Sequence, residues 1–96
     1  MTYIGRCYVT GYAVTCKHCC GKTDGITASK KKAQVGRTIA MSEKYPFGTR
    51  IYIAGLGEYV VEDRGGAIKG NKIDVGCNNH DECYAITGYY DAYIIN

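Results

Sequence analysis

Hydrophobic positions in this chain recur mostly at every second residue, the period of a half-buried strand. Tyr3–Tyr12 is predicted as a first strand, with Cys7, Val9 and Gly11 on one face and Arg6, Tyr8 and Thr10 on the other. A short strand follows at Thr38–Met41, then a turn over Ser42–Gly48. Thr49–Ala54 and Glu58–Asp63 read as a hairpin bent at Gly55-Leu56-Gly57. Lys72–Val75 alternates again, sending Ile73 and Val75 one way and Asp74 the other, and Tyr89–Ile95 is a final strand. Asn79–Thr87 is the one convincing helix. Asn79 can cap it, Glu82 three residues on completes a capping-box-like pair, and Gly88 can end it. These short strands with one small helix predict a mainly β fold, a compact six-stranded barrel, in a single domain over residues 1–96.

The long polar run TCKHCCGKTDGITASKKKAQVG fits no strand and reads as a loop. A loop of that length is usually functional or cross-linked. It holds Cys16, Cys19 and Cys20; with Cys7, Cys77 and Cys83 they make six cysteines in 96 residues. That density points to disulfides and an oxidising compartment, with fifteen pairings open. His18 and His80 beside cysteines raise zinc as a rival. Zinc favours tight paired spacings, which Cys77 and Cys83 lack, so disulfides need fewer assumptions and no metal is expected.

Charge changes the picture only slightly. The excess of three positive charges suits an anionic surface such as a cell wall but is too small to argue for nucleic acid. Ten tyrosines with no tryptophan supply flat faces that can stack on sugar rings, although half-buried strands favour tyrosine anyway. No stretch is long and apolar enough to span a membrane, and the first residues lack the basic and apolar regions of a secretion signal. The cysteines nevertheless place the chain outside the cytoplasm, secreted or phage-borne.

Candidate chemistry concentrates in Tyr59–Val75, YVVEDRGGAIKGNKIDV, where a strand, a glycine-rich loop and a second strand carry Asp63 and Asp74. Two carboxylates on opposite lips of one loop suit acid/base work on a sugar bond. Turn capping beside glycine is the plain alternative for both.

The run GITASKKKA, then TIAMSEKYPFGTRIYIAGLGEYVVEDRGGAIKGNKIDV, then the helix before Gly88, resembles the three-aspartate (3D) domain of stationary-phase-survival type lytic transglycosylases. That domain is related to the catalytic part of membrane-bound lytic transglycosylase A. The resemblance implies a double-psi β-barrel that cleaves the MurNAc–GlcNAc bond of peptidoglycan without water; no cofactor is expected, and a monomer is the expected state. It places the main acid/base aspartate at Asp74 and the aspartate before the glycine loop at Asp63. Tyr12 and Thr27 match a recurrent tyrosine and the threonine of the G-x-T-A run, and Gly66 and Lys69 lie in the loop itself.

Two positions depart from the family. Its first aspartate, in an A-V-D-P run, is Ser42 here, which cannot hold a charge; the adjacent Glu43 would face the opposite way. Arg64 stands where threonine is usual, and a cation there could keep Asp63 ionised, leaving Asp74 as the proton donor. The runner-up reading is therefore a glycan-binding barrel whose catalytic equipment is incomplete.

Overall fold

The computed structural model describes residues 1–14, 26–65 and 68–96. Its strands are β1 (Thr2–Ala13), β2 (Thr38–Ala40), β3 (Arg50–Ile53), β4 (Gly57–Asp63), β5 (Lys72–Cys77) and β6 (Gly88–Ile94), with one helix, α1 (His80–Ile86), between the last two strands. They close in the order β1-β5-β2-β4-β3-β6, so the expected six-stranded barrel is what forms. Closure pairs every strand on both sides and removes the exposed edges of an open sheet.

Alternation decides what fills the barrel. Cys7 and Val9 of β1, Ile39 of β2, Ile51 and Ile53 of β3, Val61 of β4, Ile73 of β5 and Ala92 of β6 are fully shielded from solvent. Their alternate neighbours point outward, among them Tyr8 and Thr10 on β1 and Asp74 on β5. Outside β1, β6 and β3 the tyrosines form a ladder, with Tyr8 against Tyr89, Tyr3 against Tyr93, and Tyr93 against Tyr52 at centroid distances of 5.0, 5.2 and 6.1 Å. Such cross-strand aromatic pairs stabilise the sheet surface they cover.

The β3–β4 hairpin bends where expected, with Gly55 and Gly57 at φ of 96° and 122°, which side-chain-bearing residues rarely adopt. Two parallel pairings, β1 with β5 and β2 with β4, tie the two halves of the chain together. In the β2–β4 pair Ile39 faces Val61 but Ala40 faces Asp63, so Glu62 is an extra residue in the ladder. Bulges of this kind re-aim the side chain that follows.

The helix departs from expectation at both ends. Asn79 does cap it, its Oδ1 accepting the Glu82 N–H at 2.9 Å, but the Glu82 carboxylate reaches back to Asn78, accepting from its N–H and its side-chain amide at 3.2 Å each. At the other end Gly88 is already the first residue of β6. Thr87 turns to extended backbone, and its hydroxyl donates to the Cys83 carbonyl at 2.7 Å. A threonine hydroxyl satisfies the last turn that a left-handed glycine would otherwise close. The helix lies against β1 at Gly11, where a Cβ would stand 2.8 Å from Cys83 Cα.

Among the described residues no disulfide joins Cys7, Cys77 and Cys83, all three of them buried. Cys16, Cys19, Cys20 and His18 lie outside the described residues.

Candidate functional site

Register brings the two aspartates of the glycine loop level with each other. Asp74 on β5 pairs across β2 with Ala40, and Ala40 pairs on its other side with Asp63 of β4. Thr10 of β1 aligns with Asp74 from the far side. Four adjacent strands therefore carry one row, Thr10, Asp74, Ala40, Asp63. The aspartate backbones stand about 10 Å apart, two strand spacings.

The two carboxylates live differently. Asp74 is half-buried, and its Oδ1 accepts the Thr10 hydroxyl at 3.0 Å. Asp63 is 1% exposed. Its Oδ1 accepts the backbone N–H groups of Ala28 and Arg64, both at 2.9 Å, and its Oδ2 takes the Tyr12 phenol at 3.4 Å. A carboxylate so enclosed fixes the chain around it.

Tyr12 connects the pair. Its phenol is pushed far up from its ordinary range, first by burial, then by the charges of Asp63 and Asp74. It therefore stays protonated and serves as a donor.

Thr27, expected to line a cleft, is buried and spends its hydroxyl locally, 2.9 Å from Ser29 Oγ and accepting the Lys31 N–H at 3.3 Å. The turn it braces docks on β4 through the Ser29 N–H to the Glu62 carbonyl at 3.1 Å and through Ala28 to Asp63. Lys30, Lys31 and Lys32 are exposed on it, as a solvated loop would be.

Arg64 is placed beside Asp63 as expected, but its guanidinium turns elsewhere. One nitrogen donates to the Tyr45 carbonyl at 2.8 Å, another to the carbonyls of Asp63 and Met41 at 3.2 and 3.4 Å, and the plane lies 4.2 Å from the centre of the Phe47 ring. What meets the Asp63 carboxylate is the Arg64 backbone N–H. The arginine thus clips the turn after β2 to the start of the glycine loop.

Ser42, Glu43, Lys44, Arg64, Ile68 and Lys69 border a cleft of about 460 Å³ beside this clip. Lys69 is exposed there, as is Glu43, while the Ser42 hydroxyl is shielded with no hydrogen-bond partner among the described residues. Gly66 lies outside the described residues. Tyr12, Asp63, Arg64, Ser42 and Lys69 thus form one connected neighbourhood, with Asp74 at its side through Tyr12.

Sequence reasoning missed Thr10, Ala40 and Glu62. Glu62 is 3% exposed and accepts from Arg37 Nε at 2.8 Å and from the Thr38 hydroxyl at 2.7 Å. Arg37 also donates to Gln34 Oε1 at 2.8 Å and to the Lys32 carbonyl at 3.0 Å. Polar Thr10 on a strand's outer face was a visible signal, but its partner on β5 is 64 residues away.

Residues 37–96 match the family described as the 3D domain. The chain is 42% identical over 59 residues to "Cell wall-binding protein YocH" of Bacillus subtilis (strain 168), covering 57% of this chain and 21% of that protein. It is 36% identical over 67 residues to "Putative cell wall shaping protein YabE" of the same organism, covering 69% of this chain and 16% of that protein. The chain thus spans a fifth or less of the length of YabE and about a fifth of YocH.

Proposed function

The chain belongs to the 3D domain family, and from that premise we propose that it acts on the glycan strands of peptidoglycan as a lytic transglycosylase, with Asp74 as its acid and base. The observation that carries this reading is the division of labour between the two aspartates. Asp63 is 1% exposed and meets donors from Ala28, Arg64 and Tyr12, whereas Asp74 is half-buried, accepts the Thr10 hydroxyl and is turned away from the core.

In the proposed reaction the Asp74 carboxyl gives its proton to the oxygen bridging MurNAc and GlcNAc as that bond breaks. The resulting carboxylate then takes the proton of the muramyl C6 hydroxyl. That oxygen closes on the anomeric carbon to give a 1,6-anhydro product, and Asp74 ends as it began. One carboxyl group suffices for both transfers because no water has to be activated. Thr10 orients Asp74, and Asp63 with Tyr12 holds the surrounding backbone. Lys69 at the cleft is suited to the carboxylates that peptidoglycan carries. The reading implies an extracytoplasmic site of action. Among the described residues no helix is long and apolar enough to cross a membrane.

The test is incubation with purified cell walls, read by turbidity and by mass spectrometry for anhydromuropeptides. Intact walls after long incubation, with no such product, would refute catalysis.

One observation favours a second reading, a wall-binding barrel without turnover. Ser42 stands where the family carries a carboxylate, and its shielded hydroxyl has no partner among the described residues. Retention on insoluble peptidoglycan with no released product would select it.

A further inference from the structure

The cysteine pair at the junction of β5 and α1 lies apart from the proposed site, and none of the chemistry above uses it. Cys77 is the last residue of β5 and Cys83 the buried residue of α1, 3% and 6% exposed. Their side chains are hydrogen-bonded to each other. Both crowd over Gly11: a Cβ on that glycine would lie 3.0 Å from Cys77 Sγ and 3.0 Å from Cys83 Cβ. The missing side chain on β1 leaves the space in which the two thiols meet. The Asn79 cap fixes the approach, because the first helical turn it organises carries the Cys83 N–H to the Asn79 carbonyl at 3.2 Å.

We propose that Cys77 and Cys83 are oxidised to an intramolecular disulfide that fastens α1 to the end of β5.

A low-molecular-weight disulfide is the oxidant. Cys77 lines a cavity of about 200 Å³ with Val35, Tyr59, Glu82 and Ile86, which gives such a reagent a route to its sulfur. The Cys77 thiolate attacks one sulfur of the reagent and expels the first small thiolate, which takes up a proton. The Cys83 thiolate then attacks the Cys77 sulfur of the mixed disulfide and expels the second. Two cysteine thiols lose two electrons, and the reagent is reduced to two thiols. Burial, then the neighbouring Cys83, pushes the Cys77 thiol up to about 12, so exchange in the folded protein is slow at neutral pH. The bridge accordingly closes while the chain folds. Cys7 has no part in it, lying fully buried on β1 one position before the parallel pairing with β5 begins.

The test is oxidative refolding of the full chain with reduced and oxidised glutathione, alkylation of remaining thiols, and digestion by a protease cutting before aspartate. Cleavage at Asp74, Asp81 and Asp91 separates Cys77 from Cys83. The expected result is that the peptides Asp74–His80 and Asp81–Tyr90 stay joined until reductant is added. Either cysteine alkylated, or bridged to a different cysteine, overturns the proposal. In a second arm, Cys16, Cys19 and Cys20 are replaced by serine. Reductant should then lower Tm by about 10 °C, the scale for a short closed loop in a domain of this size. An unchanged Tm overturns it as well.

Discussion

Replacing Asp63 separates its role as a brace from any role in chemistry. Asp63→Ala leaves the backbone N–H groups of Ala28 and Arg64, each now at 2.9 Å from a carboxylate oxygen, without an acceptor in a site that is 1% exposed. Each buried donor left unsatisfied costs about 1–3 kcal/mol. The Tyr12 contact at 3.4 Å is long and contributes little beyond that. The expected loss is therefore about 3–5 kcal/mol, a large share of the 5–15 kcal/mol typical of a domain. Asp63→Asn keeps an oxygen where both N–H groups point and gives up only charge assistance, so it should cost about 1–2 kcal/mol. Urea unfolding reads the difference directly. With a slope of about 1 kcal/mol per molar, the midpoint should fall by about 3–5 M for alanine and by about 1–2 M for asparagine. Amide exchange at Ala28 and Arg64 should accelerate in the alanine variant. Equal losses for the two substitutions, or an alanine variant within 0.5 kcal/mol of the parent, roughly the scatter of a surface substitution, would refute the bracing role.

Other outcomes follow from the same geometry. Asp74→Asn should unfold near the parent's midpoint yet lower anhydromuropeptide release by about 10²–10⁴-fold, the usual contribution of an acid/base group; full activity would remove Asp74 from the proposed mechanism. Glu62→Ala should cost about 2–4 kcal/mol in a urea titration, because Thr38 and Arg37 lose their acceptor, and Arg37→Met should cost a comparable amount by leaving the Glu62 carboxylate, 4% exposed, without its cation. Gly11→Ala drives a methyl group to 2.8 Å from the Cys83 backbone and should cost about 1–3 kcal/mol, with the largest amide-exchange changes in α1. The fully reduced protein should lose stability as pH rises from 9.0 towards 12. In that window the unfolded Cys77 thiol ionises and the folded one does not, so the unfolded state binds fewer protons; the raised Tyr12 phenol acts in the same direction. Thermal melts across that window should show the decline, and a flat profile would contradict it.

Much of the barrel was legible because a local signal determines it. Alternation placed Ile73 and Val75 inward and Asp74 outward, and the hairpin glycines marked the β3–β4 bend, all within a few residues. Strand order was not readable, because β1–β5 and β2–β4 pair residues distant in sequence. The bulge at Glu62 was hidden for the same reason, since an extra residue exists only relative to a partner strand. At the site, the loop aspartates were visible as candidates, but their separate roles were not. What divides them is burial and the donors from Ala28, Arg64 and Tyr12, which meet Asp63 only after folding. Arg64 shows the same limit: charge and position pointed to the neighbouring carboxylate, while the folded turn offers it three carbonyls and a ring. The helix ended at Thr87 because a side-chain hydroxyl did what the following glycine was expected to do.

Ala40 has no reactive group, yet it acts as a ruler. Both aspartates are in register with it, so the gap between them is counted in whole strands and cannot be adjusted by lengthening or shortening the glycine loop that joins β4 to β5. The loop is thereby free to vary in length and chemistry without disturbing the spacing of the carboxylates. Between the two aspartates, the bulge at Glu62 is where the ladder departs from a regular register. Deleting that extra residue would leave Asp63 opposite Ala40 in a regular ladder and take away only the carboxylate that Arg37 and Thr38 share.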